Sequence, residues 1–359
     1  MSGVGHLMRN CAVVALLVLN SFSLFAADNL KPIEIQMSRD VKLEFQPCPA
    51  GTYTMGKEND TKEGSCTKSH KVTITRPFWM GKYKITHAQW NRISEPVRDV
   101  YRGKNTGKGK KKDKNRSALS SIPFEKIPVS KVQYWAVVDY CKHLNRRYKA
   151  KLPKGYVLRL PTEAEWEYAL KANASDFSDP YVMYLQGSYA EKKEAEESIM
   201  VQDEDFEKWL SGFEALTEDD RKWAKEILLC PVGTKKPNQW GLYDMLSNGA
   251  EMTLDTLWED AALHRYYTHD IKDEIKYAEE EVDPLRMGEL DERFKPKGGN
   301  RINSIIRGSQ LQEKRFVGDV NFKKFYPCDI KNNLLPSVSF RLCIGPDLVN
   351  EKKAERAKK

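Results

Sequence analysis

Apolar and polar positions alternate in short bursts along this chain. The sharpest change of period falls at Val157-Leu158-Arg159-Leu160-Pro161-Thr162-Glu163-Ala164-Glu165-Trp166-Glu167-Tyr168-Ala169. Val157 to Leu160 has the apolar character of a short buried strand, and Pro161 ends it. Thr162 with Glu165 three places on forms a capping box that opens a helix. Trp166, Ala169 and Leu170 then share one helical face and pin it to a core. The three glutamates near the start of the helix lie at the positive end of its dipole, a favourable place for acids.

The same reading extends to both sides. Leu43 and Phe45 alternate, as do Tyr53 and Met55, giving two strands turned by Pro49-Ala50-Gly51. His70 to Ile74 is a further strand, with Pro77 to Thr86 continuing as its partner. Thr86 caps a helix whose Trp90 and Ile93 face the core. Helical spacing returns after Pro128, where Val137, Cys141, Leu144 and Tyr148 form one stripe. His143, in the last turns of that helix, is given a structural or surface role, since no second ligand is spaced to join it. Asp205 to Phe213 and Thr217 to Leu229 read as two amphipathic helices. Lys297-Gly298-Gly299-Asn300 reads as a turn and Asn303 to Arg307 as a strand.

Composition adds compartment and charge. The chain has 359 residues, 40% of them apolar, ample for a buried core. Arg9, the apolar run Ala12 to Leu19 and the small pair Ala26-Ala27 predict a cleaved signal peptide over residues 1–27 and a secreted or periplasmic location. The run is too short to span a bilayer, so no transmembrane anchor is expected. Residues 28–40 read as an N-terminal segment, 41–348 as one domain, and 349–359 as a frayed charged tail. Cys48, Cys66, Cys141, Cys230, Cys328 and Cys343 form an even set, and disulfides fit an oxidising compartment. No C-x-x-C or H-E-x-x-H occurs, and His264 and His269 do not share a helical face, so zinc chemistry is not indicated.

The net charge of +8 is concentrated in a glycine-lysine stretch at 103–116, with Lys104, Lys108, Lys110, Lys111, Lys112, Lys114 and Arg116. It is either a solvated insertion loop or a contact for a polyanion. No aromatic residue interleaves it, so specific nucleic-acid binding is not expected. An acidic stretch at 176–230 reads as a solvated helical insertion. With 103–118 and 258–297 it makes three charged insertions.

The run Arg159 to Ala169 closely resembles the most diagnostic segment of the formylglycine-generating enzyme (sulfatase-modifying factor) family. So do Pro49 to Gly56, Thr86 with Gln89-Trp90, the Tyr140-Cys141 pair, Asn238 to Met245, Arg307-Gly308-Ser309, and Ser339-Phe340-Arg341-Leu342-Cys343. The resemblance implies an α+β, formylglycine-generating-enzyme-like (complex C-type-lectin-like) single domain with little regular secondary structure. Where relatives read Gly-Asn-Val-Trp-Glu-Trp, this chain has Ser247-Asn248-Gly249-Ala250-Glu251-Met252. Both tryptophans are missing. The oxygens of Asn248 and Glu251 match one of the family's calcium sites; the alternative is that both satisfy loop backbone groups. Cys141 and Cys343 match positions that some relatives join as a disulfide, against the alternative of two buried free thiols.

Oxidase members of the family hold copper on two cysteines shortly after Arg-Gly-Gly-Ser. Here residues 310–319 contain no cysteine, and Cys328 stands alone beyond them. A lone thiolate is a poor Cu(I) site, so neither copper nor formylglycine oxidase activity is expected. The reading is a secreted or periplasmic, non-catalytic binding or assembly protein whose insertions meet an unknown protein or glycan ligand. The alternatives are an oxidase acting on a sulfatase cysteine, or a relative of altered chemistry.

Overall fold

A computed structural model of the chain describes residues 30–56, 69–94, 124–175, 178–186, 188–214, 216–227, 229–258, 280–285, 302–308, 324–327 and 338–358. The signal peptide, the basic 103–118 stretch, Cys66, Cys328, His264, His269, the 297–300 turn and residues 309–319 lie outside the described residues.

Five strands make the main sheet: β1 (Ile33–Ser38), β2 (Val41–Cys48), β5 (Phe78–Gly81), β12 (Cys343–Pro346) and β6 (Tyr156–Arg159), in that order. A second sheet holds β3 (Gly51–Met55), β4 (His70–Ile74) and β8 (Glu280–Val282). A third runs β10 (Lys324–Pro327), β9 (Ile302–Arg307), β7 (Ala250–Trp258) and β11 (Val338–Ser339). The first and last thirds of the chain therefore interlock, with β12 inserted between β5 and β6. Strands β4 and β5, expected from the sequence to pair, belong to different sheets.

Helices close the layers. The one-turn α1 (His87–Trp90) has the capping box of Thr86 with Gln89, and α2 (Tyr134–Tyr148) buries Val137, Cys141, Leu144 and Tyr148 as its stripe demands. Helix α3 (Glu163–Lys171) begins at Thr162, whose hydroxyl accepts the Glu165 N–H while the Glu165 carboxylate takes the Thr162 N–H at 2.8 Å. One apolar cluster joins α2 to the main sheet through Phe45, Trp90, Leu144, Leu160 and Phe340. A second packs Trp166, Met80, Val72 and Met245 around α3.

Three segments depart from the sequence reading. Residues 33–38 are not outside the domain, because alternation places Ile35 and Met37 in the core on an edge strand paired to β2. The tail is not frayed: α8 (Leu348–Ala357) is capped by Asp347, and Glu351 forms a two-pronged ion pair with Arg76. The acidic insertion is more than a solvated face. It folds into α4 (Pro180–Gln186), α5 (Tyr189–Ile199), α6 (Asp203–Ser211) and α7 (Glu218–Ile227), where two helices were expected. Phe206, Leu210, Leu216 and Ala224 bury a core of their own against Ile127. Acids crowd the sequence there, but apolar residues at helical spacing decide the packing.

Candidate functional site

The polar residues of the most diagnostic segments converge on Trp166, which is fully buried in α3. On one side its indole N–H donates to Glu251 Oε2 at 3.1 Å. On the other the Arg307 guanidinium lies 5.3 Å from its ring centroid, in cation–π range. Two charged centres thus flank a single indole.

The first centre is Glu251 on β7. Arg341 meets its carboxylate with Nε at 2.6 Å and Nη2 at 2.7 Å, and Lys84 donates to it from the far side. All three side chains have no solvent exposure. Burial pushes the Glu251 carboxyl up, but Arg341 and Lys84 outweigh it and hold it at about 2. Burial lowers Lys84, which shares its one carboxylate with Arg341. Nearby Asp244 is pushed up by burial while its Oδ2 accepts the Gly233 N–H at 2.9 Å.

The second centre is Arg307 at the end of β9. Its Nη1 reaches Glu163 at 2.8 Å and its Nη2 reaches Glu167 at 2.6 Å, again without exposure. Glu167 also takes Lys171 Nζ and the Gly56 N–H, each at 2.8 Å. Burial opposes its ionisation, yet Lys171 and Arg307 hold it at about 2. The next residue, Gly308, has φ +82°, a conformation that disfavours a side chain; a Cβ there would meet the Met245 carbonyl at 3.5 Å and the Trp166 ring at 3.6 Å. A third pair, Arg159 with Glu165 at 2.7 and 2.8 Å, ties β6 to the start of α3. The helix-start glutamates are therefore buried cross-links, beyond the dipole effect expected of them.

Asn248 and Glu251 are both buried but serve different partners. Asn248, in the left-handed region at φ 58°, accepts the Cys230 N–H at 2.8 Å and donates to the Cys230 carbonyl at 2.9 Å. It clamps the end of the acidic insertion to this loop. Asn248 thus meets the backbone of Cys230, whereas Glu251 meets the side chains of Arg341, Lys84 and Trp166. No group of three or more His, Cys, Asp or Glu that could hold a metal ion occurs among the described residues.

Cys141 and Cys343 are free buried thiols in this structure, not the disulfide the resemblance implies. Cys343 sits opposite Arg159 across β12 and β6, and its sulfur accepts Arg159 Nη1 at 3.1 Å. Burial pushes the Cys141 thiol up to about 12 and raises Cys48, Cys230 and Cys343 as well. Burial thus disfavours the free thiolate at each of the four. His143, given a structural or surface role from the sequence, is exposed.

Sequence reasoning missed Lys84, Arg159 and Arg341 as a group, although a signal existed. Each is one charge between two large apolar neighbours: Tyr83 and Ile85, Leu158 and Leu160, Phe340 and Leu342. A charge in a fully buried apolar run needs an opposite charge inside the fold.

The interlocked sheets, the capped helix and its buried ion pairs define an α+β domain of the formylglycine-generating-enzyme-like, C-type-lectin-like class. The chain belongs to the family described as Sulfatase-modifying factor enzyme 1-like domain, whose model matches residues 43–317. It is 26% identical over 242 residues, 56% of this chain and 72% of the relative, to "Chaperone protein LppX" of Paenibacillus barcinonensis. Among solved structures it is similar to "Treponema denticola variable protein 1", with a TM-score of 0.54 and 18% identity over 89% of this chain and all of that one. It is also similar to PvdO from Pseudomonas aeruginosa, with a TM-score of 0.49 and 20% identity over 88% of this chain and 99% of that one.

Proposed function

We propose that this chain is a secreted or periplasmic, non-catalytic binding or assembly protein that uses the sulfatase-modifying-factor scaffold without formylglycine chemistry. The observation that carries the reading is the ten-residue stretch 310–319 after Arg307-Gly308-Ser309, which contains no cysteine. The thiols in the described residues support it, since burial disfavours the thiolate at each of them. The likeness to a protein named a chaperone supports an assembly role.

The test is metal retention. The mature chain is loaded with Cu(I) under reducing conditions, desalted and assayed for copper per chain. The expected result is no stoichiometric copper. One tightly held copper per chain would overturn the reading and favour the oxidase alternative.

A further inference from the structure

An open groove of about 410 Å³ lies where the turn after α1 meets the last turns of α2, lined by Arg92, Ile93, His143, Arg146 and Arg147. All four polar side chains are exposed, and Ile93 is the half-buried floor. The strip continues from α2 into exposed Lys149 and Lys151. Four other described arginines, Arg76, Arg159, Arg307 and Arg341, each hold a carboxylate. Among the described residues no carboxylate pairs with Arg92, Arg146 or Arg147. Two of the three are nevertheless held in place. Arg146 Nη2 lies 3.0 Å from His143 Nδ1, and the Arg147 guanidinium sits 5.6 Å from the Tyr148 ring centroid.

Three guanidinium groups without a carboxylate partner among the described residues, gathered around one open groove, suit tetrahedral oxyanions, since each presents a planar fork of donors that matches such a group. We propose that this groove binds the sulfate or phosphate esters of an anionic glycan. The proposal gives the binding role above a ligand class and so rests on that reading. A glycan is favoured over a membrane because, among the described residues, Val282 is the one exposed large apolar side chain and it does not line the groove. It is favoured over single-stranded nucleic acid because no Phe, Tyr or Trp side chain, the usual platform for successive bases, lines the groove.

The experiment measures fluorescence anisotropy of a labelled, heparin-derived octasaccharide with the full mature chain at low ionic strength. Wild type is expected to bind, with affinity falling as salt is added. Arg92→Gln/Arg146→Gln/Arg147→Gln is expected to weaken binding at least about tenfold, while the charge-matched control Lys208→Gln/Lys353→Gln/Lys358→Gln retains it. Replacing the same three arginines by lysine keeps the charge but not the fork and is expected to fall between the two. All substitutions are on exposed side chains, and unchanged thermal melting confirms that each variant is folded. Absence of binding by wild type, or equal loss in control and groove variants, overturns the proposal. Tighter binding to phosphatidylglycerol vesicles or to oligo-dT than to the glycan also overturns it. Copper retention would sink the non-catalytic reading while leaving these affinities unchanged, so the two failures are separable.

Discussion

Glu251→Gln preserves shape and removes one negative charge from a place where Lys84 and Arg341 are buried without exposure. The fall of the Glu251 carboxyl from 4.5 to about 2 corresponds to about 3 kcal/mol of stabilisation. That agrees with the roughly 3–5 kcal/mol lost when one partner of a buried pair is removed. For a domain of this size the loss lowers the melting temperature by roughly 5 °C at neutral pH. The pH dependence is the sharper signature. A depressed carboxyl contributes stability that is fully present above its unfolded value of 4.5 and is lost as pH falls toward about 2. Wild type loses this contribution through that window and the glutamine variant has none to lose. Melting curves of both from neutral to acid pH should therefore converge below pH 4.5. Equal melting at neutral pH, or a gap that stays constant in acid, would refute the assignment. Calcium that raises wild-type melting but not the variant's would return Glu251 to metal binding.

Arg307→Met removes the buried cation that Glu163 and Glu167 share and is expected to destabilise the fold by about 3–5 kcal/mol in urea titration; a neutral result would show the centre to be dispensable. Thr162→Ala removes the cap of α3 and should cost about 1 kcal/mol by the same assay, with no change in fold by circular dichroism. Asn248→Ala frees Cys230 from its two hydrogen bonds, so hydrogen exchange should accelerate across α6 and α7 before the main sheet; uniform protection would contradict the clamp. Cys48, Cys141 and Cys343, whose thiols are buried and raised, should resist alkylation in the native chain and react once unfolded without reductant. A disulfide-linked Cys141–Cys343 peptide in an unreduced digest would contradict that.

The capped helix at Thr162, the stripe of α2 and the strand at Asn303 to Arg307 were legible because each is a local pattern with a local cause. What the pattern hid was long-range. Glu163 and Arg307 stand 144 residues apart, and Glu251 and Arg341 stand 90 apart. Nothing in the neighbourhood of either partner specifies the other; only the presence of a charge inside an apolar run announces that a partner exists. Edge strand β1 was missed for a related reason, because its alternation is short and gains meaning only when β2 lies beside it. In the acidic insertion the amphipathic helix over Asp205 to Phe213 was legible, but the density of charge hid that Phe206 and Leu210 pack into a core of their own.

The missing cysteines after Ser309 and the engagement of Glu251 and Arg307 in ion pairs lead to one account: a scaffold held together by buried charge and lacking the oxidase's copper ligands. Incubating the copper-treated mature chain with a Cys-x-Pro-x-Arg peptide and oxygen, then capturing any aldehyde with a hydrazide probe, tests this most directly. The account expects the peptide cysteine to be recovered unconverted. Catalytic formation of the hydrazone, with many turnovers per chain, would contradict it.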